Sequence, residues 1–332
     1  MTIKIGINGW GRIGRLAFRL LEENDNFEVV HINGTRPNDM SAYLLKYDTV
    51  HRQFNGEIDF DDEGLIVNNR KVLFTREREP KLIPWKQTEV EYVIDSSGKF
   101  TDVESLSGHI EAGASKVFLS APGSEDIKML VYGINEDSIE ESDNILSAAS
   151  CTTNCLAPMA KTLNDAFGLQ KGLMTTIHAY TSDQNLQDGS HKKFTRSRAA
   201  ASNIIPTTTG AARSIAKVIP ELEGKLDGSA QRVPVIDGSL TELTVTLDKK
   251  TSVEEINNAM KAQASESFAY EPFPIVSSDI IGNRYGSVFD ATQTAVLDTD
   301  NGQMVRTVAW YDNETGFTAQ LIRIMEHVKK IN

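Results

Sequence analysis

The chain has 332 residues, 40% of them hydrophobic and 24% charged, and its 46 acidic and 34 basic residues leave a formal net charge of −12. This length predicts two domains, each large enough to bury its own core. The acidic balance argues against general nucleic-acid binding, which depends on basic surface, and no apolar run approaches the ~18 residues of a membrane span. The first residues enter a strand pattern at once, which leaves no room for a signal peptide and predicts a cytoplasmic protein.

The first third of the chain alternates short apolar strands with helical patterns. Lys4–Asn8 is predicted as a strand, Arg12–Glu23 as a helix with one apolar stripe, and Phe27–Ile32 as the second strand. This alternation predicts a mostly parallel, doubly wound sheet. Further elements predicted here are a helix at Met40–Tyr47, hairpin strands within Glu57–Phe74, and strands at Tyr92–Asp95, Lys116–Ser120 and Met129–Tyr132.

From Cys151 onwards the pattern changes. Thr181–Asn203 is a polar, basic segment with little periodicity, and its length exceeds that of an ordinary connection, which predicts a functional loop. A helix at Thr152–Phe167 is expected to kink at its internal Pro158. The other predicted elements are a strand at Gly172–Tyr180, a helix at Thr207–Val218, strands at Gln231–Pro234, Leu240–Asp248 and Val305–Tyr311, and an amphipathic helix at Phe317–Lys330.

A glycine-rich segment follows the first predicted strand directly. It contains Gly9, Gly11 and Gly14 in the spacing G-x-G-x-x-G and opens the first predicted helix. Glycines in this context permit a tight turn and let a pyrophosphate approach the helix N-terminus. The segment therefore predicts a Rossmann-type dinucleotide-binding domain, and a glycine turn without a ligand is the alternative.

The end of the second predicted strand carries no acidic residue. An acid at this position accepts the ribose 2′-hydroxyl of NAD and repels the 2′-phosphate of NADP. The chain has Gly34, Thr35 and Arg36 here, which removes that repulsion and offers donors to a phosphate. We therefore expect NAD or NADP as the cofactor. These residues permit NADP, and whether NADP is preferred over NAD stays open at this point. The alternative is that Arg36 is a solvated loop residue.

The chain has two cysteines, Cys151 and Cys155, which excludes a disulfide framework and a four-ligand zinc site. They share a predicted helix face without a second ligand pair, so no metal site is predicted. Cys151 lies at a predicted helix start among hydroxyl and amide side chains, and His178 lies on the next predicted strand. A lowered thiol pKa, a nearby base and oxyanion donors are what a covalent thiol enzyme needs. A protease, a redox sensor and a dehydrogenase all remain open at this point, and Cys155 is expected to be a buried apolar residue.

Several motifs in order resemble the phosphorylating glyceraldehyde-3-phosphate dehydrogenase family over essentially the whole chain. They are Asn8-Gly9-Trp10-Gly11-Arg12-Ile13-Gly14-Arg15, Ala149-Ser150-Cys151-Thr152-Thr153-Asn154-Cys155, His178-Ala179-Tyr180-Thr181, Ile205-Pro206-Thr207-Thr208-Thr209-Gly210-Ala211-Ala212, Arg232-Val233-Pro234 and Trp310-Tyr311-Asp312-Asn313-Glu314. The resemblance implies that Cys151 attacks the aldehyde of glyceraldehyde 3-phosphate, that His178 serves as base, and that inorganic phosphate then cleaves a thioester. A helix N-terminus near Ser150 is expected to lower the pKa of the Cys151 thiol.

The resemblance also implies the binding residues. Thr181, Arg196 and Arg232 are expected to hold the substrate phosphate or to share two anion sites, and Ser150, Thr152, Thr209 and Gly210 are expected to hold the attacking phosphate. The threonine run before Gly210 has a simpler alternative as a helix cap. Asn313 is expected to bind the nicotinamide carboxamide, and the cofactor cleft is expected to include Arg12, Ile13, Arg78, Ser97 and Ser120. Two departures from the family, Gly34 and Ser190, favour NADP use.

The predicted fold class is therefore α/β, with a doubly wound dinucleotide-binding domain at 1–149 and 314–332. An α+β catalytic domain with a mostly antiparallel sheet is predicted at 150–313. The resemblance implies a homotetramer that acts on a small molecule and inorganic phosphate, with no nucleic-acid or membrane partner. Two alternatives remain: an erythrose-4-phosphate dehydrogenase, in which water attacks the thioester, and a secondary binding or redox-sensing role.

Overall fold

The computed structural model describes residues 2–300 and 302–331, which form two compact units. The first unit contains the chain up to Leu130, Glu136–Ala149 and the chain from Leu321 onwards, and the second contains Val131–Asn135 and Ser150–Gln320. The predicted domain division differs from this one at 131–135 and 314–320, which were expected in the first domain. No helix among the described residues is long and apolar enough to cross a membrane.

The first unit is built on a nine-stranded sheet in the order β3-β4-β5-β2-β1-β6-β7-β9-β8. Its elements are β1 (Ile3–Asn8), α1 (Arg12–Leu21), β2 (Phe27–Asn33), α2 (Asn38–Lys46), β3 (Ile58–Phe60), β4 (Gly64–Val67), β5 (Arg70–Thr75), β6 (Tyr92–Asp95), α3 (Val103–Glu111), β7 (Lys116–Leu119), β8 (Lys128–Met129) and β9 (Ile145–Ser147). From β5 to β8 every pairing is parallel, whereas β3, β4 and β5 form antiparallel hairpins. The predicted doubly wound sheet is confirmed.

The order of the central strands creates a crevice at one end of this sheet. β6 and β7 are buried along their whole length, as expected of parallel strands covered on both faces. The chain passes from β1 to β2 on one side and later to β6 on the other. A crevice forms outside the carboxyl ends of the strands where the order reverses in this way. Asn8, Asn33 and Asp95 end the three strands at this point.

The second unit contains an eight-stranded sheet in the order β11-β12-β10-β13-β17-β15-β14, with β16 paired to β17. Its elements are α4 (Cys151–Phe167), β10 (Leu169–Ala179), β11 (Ile205–Thr208), α5 (Ala211–Val218), β12 (Leu226–Val233), β13 (Ser239–Leu247), α6 (Val253–Ala262), β14 (Phe268–Glu271), α7 (Ser277–Ile280), β15 (Ser287–Asp290), β16 (Ala295–Thr299) and β17 (Gly302–Tyr311), and α8 (Thr315–Ile331) follows. Five of the seven pairings are antiparallel, and β10–β12 and β14–β15 are parallel. The predicted mostly antiparallel sheet is confirmed.

Two element predictions were wrong. The helix expected from Thr207 begins only at Ala211, because Thr207 and Thr208 belong to β11 at the sheet edge and pair with β12. β-branched threonines after a proline favour an extended edge strand over a helix start. The strand expected at Met129–Tyr132 ends at Met129. Pro158 does lie inside α4, which continues beyond it to Phe167.

His31 illustrates how the first unit buries polar side chains. It lies fully buried in β2, and its ring nitrogens contact the hydroxyls of Thr75 and Thr88, each at 3.0 Å. Burial lowers the pKa of His31 from 6.5 to about 4. The folded protein therefore holds this ring neutral at pH values at which an unfolded chain protonates it.

Lowering the pH from 6.5 to 4 should destabilise the protein through His31. In this window the unfolded chain binds more protons than the folded one, so the free energy of unfolding falls as the pH falls, by about 3 kcal/mol from this residue. Urea unfolding of the wild type and of His31→Gln across this range measures the effect. The variant should be less stable at neutral pH and should lose less stability on acidification. An equal decline in both proteins would contradict a neutral buried ring.

Candidate active site

Cys151 is the first residue of α4, and the local sequence explains why the helix begins there. The Ser150 hydroxyl accepts a hydrogen bond from the Thr153 amide at 3.1 Å and so caps the helix. The position places the thiol beside the free amides of a helix N-terminus. Cys151 Sγ lies 3.4 Å from Nε2 of His178. The structure therefore brings the two predicted catalytic residues together.

The backbone determines which ring nitrogen of His178 carries the proton. Nδ1 lies 2.7 Å from the carbonyl oxygen of Ala179, which can only accept a hydrogen bond. Nδ1 therefore bears the hydrogen, and in the neutral ring Nε2 is left as an acceptor facing the thiol. The ring edge also packs against Tyr311, with ring centroids 5.8 Å apart. This orientation suits His178 to receive a proton from Cys151.

Arg232 adds a half-buried positive charge to this pair. It lies opposite His178 in the parallel pairing of β10 and β12 and donates to the Ala179 carbonyl at 3.2 Å and to the Thr181 hydroxyl at 3.0 Å. Its Nε is buried and has no hydrogen-bond partner among the described residues. A buried guanidinium with an unsatisfied donor is costly unless an anion accompanies it. The arrangement fits an anion-binding site.

The expectation of a lowered thiol pKa was wrong in direction. Burial raises the pKa of Cys151 above its usual 9.0, and the charge of Arg232 opposes this rise without reversing it. Burial also lowers the pKa of His178 to about 3, and the charge of Arg232 acts in the same direction. Desolvation disfavours both charged forms more than the helix N-terminus favours a thiolate. The resting pair is therefore a neutral thiol and a neutral imidazole.

Arg196 is a second guanidinium of this site. Its Nε donates to the Thr207 hydroxyl at 3.0 Å, and its Nη1 pairs with the carboxylate of Asp183. The charge of Arg196 lies close enough to lower the pKa values of both Arg232 and His178. Arg232 and Arg196 thus bring two positive charges close to the thiol–imidazole pair.

Thr209 and Gly210 lie at the start of α5, not within a longer helix. Gly210 occupies the N-cap position, and the Thr209 hydroxyl accepts from the Ala211 amide at 3.2 Å. The preceding Thr208 hydroxyl accepts from Lys193 Nζ at 2.9 Å. Thr209 is therefore not the N-cap residue that the helix-cap alternative expects: it precedes that position and bonds the first helical amide, and a helix start of this kind leaves further amides that an anion can bind.

The Thr152 hydroxyl is committed to the interior of the unit. It lies 2.9 Å from the Tyr311 hydroxyl, which lies 2.8 Å from the Thr176 hydroxyl, and Thr176 donates to the Leu240 carbonyl at 3.0 Å. Because a carbonyl can only accept, Tyr311 must donate to Thr176, and Thr152 must donate to Tyr311. The Thr152 side chain also lies close to the Cys151 thiol, where its hydrogen bond favours the thiolate.

The glycine-rich segment of the first unit has the geometry of a pyrophosphate loop. Gly9 has φ of +104°, a backbone conformation that favours glycine. A Cβ on Gly14 would lie 2.0 Å from the Gly9 carbonyl oxygen, so α1 approaches the loop closely. A Cβ on Gly11, the N-cap of α1, would meet nothing within 4 Å. This open space at a helix N-terminus fits the phosphates of a dinucleotide.

A second arginine, which the local sequence did not predict, lies near the segment after β2. Gly34 is buried, Thr35 and Arg36 are exposed, and Arg36 donates to the Trp10 carbonyl at 3.2 Å. Arg76, which follows the neighbouring strand β5, donates from Nε to the Arg36 carbonyl at 3.2 Å. Arg36 and Arg76 therefore both lie close to Gly34, whose amide donates to the Thr75 carbonyl, and Arg76 bonds the backbone of Arg36 and the side chain of Asn38. The parallel pairing of β2 with β5, invisible in the local sequence, brings Arg76 there.

The other predicted cofactor residues take varied positions. Arg12 pairs with Asp48 through both of its Nη atoms. Ser97 and Ser120 follow β6 and β7, and Ile13 is part-buried in α1, whereas Arg78 and Ser190 are exposed. In the second unit, buried Asn313 accepts from the Ser239 hydroxyl at 2.7 Å through Oδ1, which leaves its Nδ2 as a donor.

Four residues near the sites were missed by the sequence analysis: Arg76, Asp183, Ser239 and Tyr311. Tyr311 stands within a motif that carried the family resemblance, yet no local pattern indicates that its hydroxyl reaches Thr152 and Thr176. Asp183 lies within the long polar segment, where an acid near Arg196 was a usable signal. The others depend on strand pairings that only the structure reveals.

Fold and sites together define an α/β oxidoreductase class, with a dinucleotide-binding sheet in one unit and a thiol–imidazole pair in the other. Residues 3–103 match "Glyceraldehyde 3-phosphate dehydrogenase, NAD binding domain", and residues 150–313 match "Glyceraldehyde 3-phosphate dehydrogenase, C-terminal domain". The chain is 53% identical over 334 aligned positions to glyceraldehyde-3-phosphate dehydrogenase of Streptococcus pyogenes, covering 100% of this chain and 99% of the relative. The same identity and coverage hold for the proteins of serotypes M1 and M18. The chain belongs to the glyceraldehyde 3-phosphate dehydrogenase family.

Removing the charge of Arg232 should make the Cys151 thiol harder to ionise. Arg232→Gln loses the cation that opposes the burial effect, so the pH midpoint of iodoacetamide alkylation should rise. Mass spectrometry of the alkylated protein gives the rate at each pH and assigns it to Cys151, because Cys155 is fully buried with a pKa near 12. Arg198→Gln, which removes an exposed guanidinium paired with Asp188, is the control and should leave the profile unchanged. An unshifted midpoint in Arg232→Gln would contradict the electrostatic role.

Proposed function

We propose that the chain catalyses the phosphorylating oxidation of glyceraldehyde 3-phosphate to 1,3-bisphosphoglycerate, with a nicotinamide cofactor as hydride acceptor. The observation that carries this proposal is the contact of 3.4 Å between Cys151 Sγ and His178 Nε2, with half-buried Arg232 beside it, in a chain of this family. A neutral base facing a neutral thiol can generate the nucleophile at the moment of attack.

The first steps follow from the tautomer of His178. Cys151 Sγ attacks the aldehyde carbon, and its proton passes to Nε2 and on to the aldehyde oxygen, which gives a thiohemiacetal and a neutral imidazole. A bound nicotinamide cofactor would supply the acceptor for the hydride of that carbon. Nε2 accepts the hydroxyl proton at the same time, and a thioester of Cys151 results. The N-terminal amides of α4 are proposed to stabilise the negative charge that develops on the aldehyde oxygen during the attack.

The second half of the reaction needs two anions near one sulfur. An oxygen of inorganic phosphate attacks the thioester carbon, the carbon–sulfur bond breaks with release of the acyl phosphate, and protonated His178 returns its proton to the departing sulfur, which restores the neutral pair. Arg232, Arg196 and Thr181 are proposed to hold the phosphate of the substrate. The amides at Ser150–Thr152 and Thr209–Gly210 are proposed to hold the attacking phosphate. Asn313 Nδ2 is the donor proposed for the nicotinamide carboxamide.

Initial rates with glyceraldehyde 3-phosphate, measured with and without inorganic phosphate, test the reaction. We expect NAD(P)H formation to depend on phosphate. Cys151→Ser should abolish turnover, whereas Cys155→Ser should retain most of it, because Cys155 is fully buried and its thiol donates to the Ala309 carbonyl at 3.5 Å, not to His178. A rate independent of phosphate, or a higher specificity for erythrose 4-phosphate, would overturn the phosphorylating assignment.

We further propose that the enzyme uses NADP, alone or in addition to NAD. The support is the absence of an acid at Gly34 together with the two guanidiniums of Arg36 and Arg76. A charge-assisted hydrogen bond to phosphate contributes about 1.5–3 kcal/mol. A homotetramer and a cytoplasmic location complete the proposal and rest on the family resemblance.

Arg36→Leu and Arg76→Leu should each raise the KM for NADP by about tenfold or more and change the KM for NAD little, because only NADP carries a 2′-phosphate. Initial rates with both cofactors measure the ratio. Arg306→Leu, which removes an exposed guanidinium of the second unit, is the control. A wild type that uses NAD alone, or equal effects on both cofactors, would contradict the proposed phosphate contact.

A further inference from the structure

A largely buried chain of polar side chains runs beneath the carboxyl ends of the central strands of the first unit. Its members, here named the Asp95 network, are Trp85, His109, Asp95, Asn8, Asn33, Thr75, His31 and Thr88. Both ends of the network lie on one short turn, because Trp85 and Thr88 begin and end the 3₁₀ helix Trp85–Thr88. The network therefore closes on itself.

The directions of the hydrogen bonds around Asn33 and Asn8 follow from backbone groups that can act only as donors or only as acceptors. The backbone amide of Glu77 donates to Asn33 Oδ1 at 2.9 Å, and Asn33 Nδ2 donates to the Glu77 carbonyl at 2.9 Å, which fixes the orientation of the Asn33 amide. Asn33 Nδ2 then donates to Asn8 Oδ1 at 2.9 Å. Asn8 is thereby oriented as well, and its Nδ2 donates to Asp95 at 2.8 Å.

The same reasoning fixes the state of His109, which is fully buried. The Trp85 indole N–H can only donate, and it lies 3.0 Å from His109 Nδ1. Nδ1 is therefore unprotonated, so His109 is a neutral imidazole that donates from Nε2 to Asp95 at 3.1 Å. His109 supplies a hydrogen bond to the carboxylate and no positive charge.

Asp95 is consequently a buried acceptor on which donors converge. One oxygen receives His109 Nε2 and Asn8 Nδ2, and the other receives the Ser97 amide at 3.0 Å and the Ser97 hydroxyl at 2.7 Å. An ionised carboxylate satisfies all four donors, whereas a neutral amide in its place satisfies fewer. The Asp95 carbonyl also accepts from the Ser120 amide at 2.9 Å.

These contacts connect Asp95 to the loops assigned to the cofactor. Asn8 precedes the glycine loop, Asn33 precedes Gly34, and Ser97 and Ser120 are themselves predicted cofactor residues. The backbone adds to the linkage, since the Gly9 amide donates to the Asn33 carbonyl at 2.9 Å. Asp95 itself is fully buried and therefore cannot touch a ligand directly.

We propose that Asp95 is a positioning residue for the dinucleotide cofactor. Its charge and the neutral His109 hold three loops in their binding geometry: the glycine loop after β1, the segment Gly34–Arg36 after β2 and the loop that contains Ser97. This inference rests on the proposed nicotinamide-dependent function. Loss of the carboxylate leaves the Ser97 amide or the Asn8 amide without an acceptor, and the loops lose their common anchor. The result is a weaker cofactor site within a folded protein.

Fluorescence titration of the folded proteins with NADH and with NADPH tests the inference without turnover. Asp95→Asn should raise the Kd of the bound cofactor by about tenfold or more. His109→Gln, which disturbs the same carboxylate from the buried side, should raise it too and guards against a failure of Asp95→Asn to fold. Asp95→Glu keeps the charge and should bind more tightly than Asp95→Asn.

Asp290→Asn is the matched control. Asp290 is a buried carboxylate of the second unit that likewise receives only donors, from Thr292 and from the Trp310 indole. It should lower the melting temperature and leave the cofactor Kd unchanged. Cys151 alkylation without cofactor should stay normal in Asp95→Asn, which shows that the second unit is intact.

The outcomes separate the two proposals. If the wild type binds neither NADH nor NADPH, the proposed function fails and the positioning role with it. If the wild type binds cofactor and the folded Asp95→Asn and His109→Gln proteins bind it with unchanged Kd, the positioning role alone is overturned. A lowered melting temperature with unchanged Kd in both variants would identify a purely structural network.

Discussion

The carbonyl oxygen of Ala179 is the constraint on which the catalytic unit depends. It receives Nδ1–H of His178 and Nη1–H of Arg232, and so one acceptor fixes both the tautomer of the base and the position of the cation. The parallel register of β10 and β12 places the two side chains opposite each other. Because one backbone atom joins base and cation, the geometry facing Cys151 does not rely on flexible side-chain contacts.

The same desolvation that makes this geometry rigid determines its charge state. Burial acts against both a thiolate and an imidazolium, and the field of Arg232 helps the first and opposes the second. The helix N-terminus was expected to dominate, and it does not, because its favourable interaction is smaller than the cost of removing a charge from water. Proton transfer is therefore coupled to nucleophilic attack in the mechanism proposed for this enzyme.

Local patterns were enough to predict the sheet types, the glycine loop and the approach of His178 to Cys151. They failed where position depends on pairing between distant segments. The local sequence predicts a helix start at Thr207, but this residue lies in an edge strand because β11 pairs with β12. Arg76 reaches the Arg36 backbone only because β2 pairs with β5. The direction of the Thr152 hydroxyl depends on a carbonyl 88 positions away in the chain, at Leu240. The roles of the individual site residues stay predictions.

The three glycines of the nucleotide loop differ in what they would tolerate during evolution. A methyl group at position 14 would collide with the Gly9 carbonyl, and one at position 9 would collide with the backbone of Ser96, whereas one at position 11 would meet only open space. The fold therefore excludes larger residues at Gly9 and Gly14. At Gly11 a larger residue is excluded only when a ligand occupies the open space. A motif that appears uniform in sequence thus combines two structural requirements with a functional one.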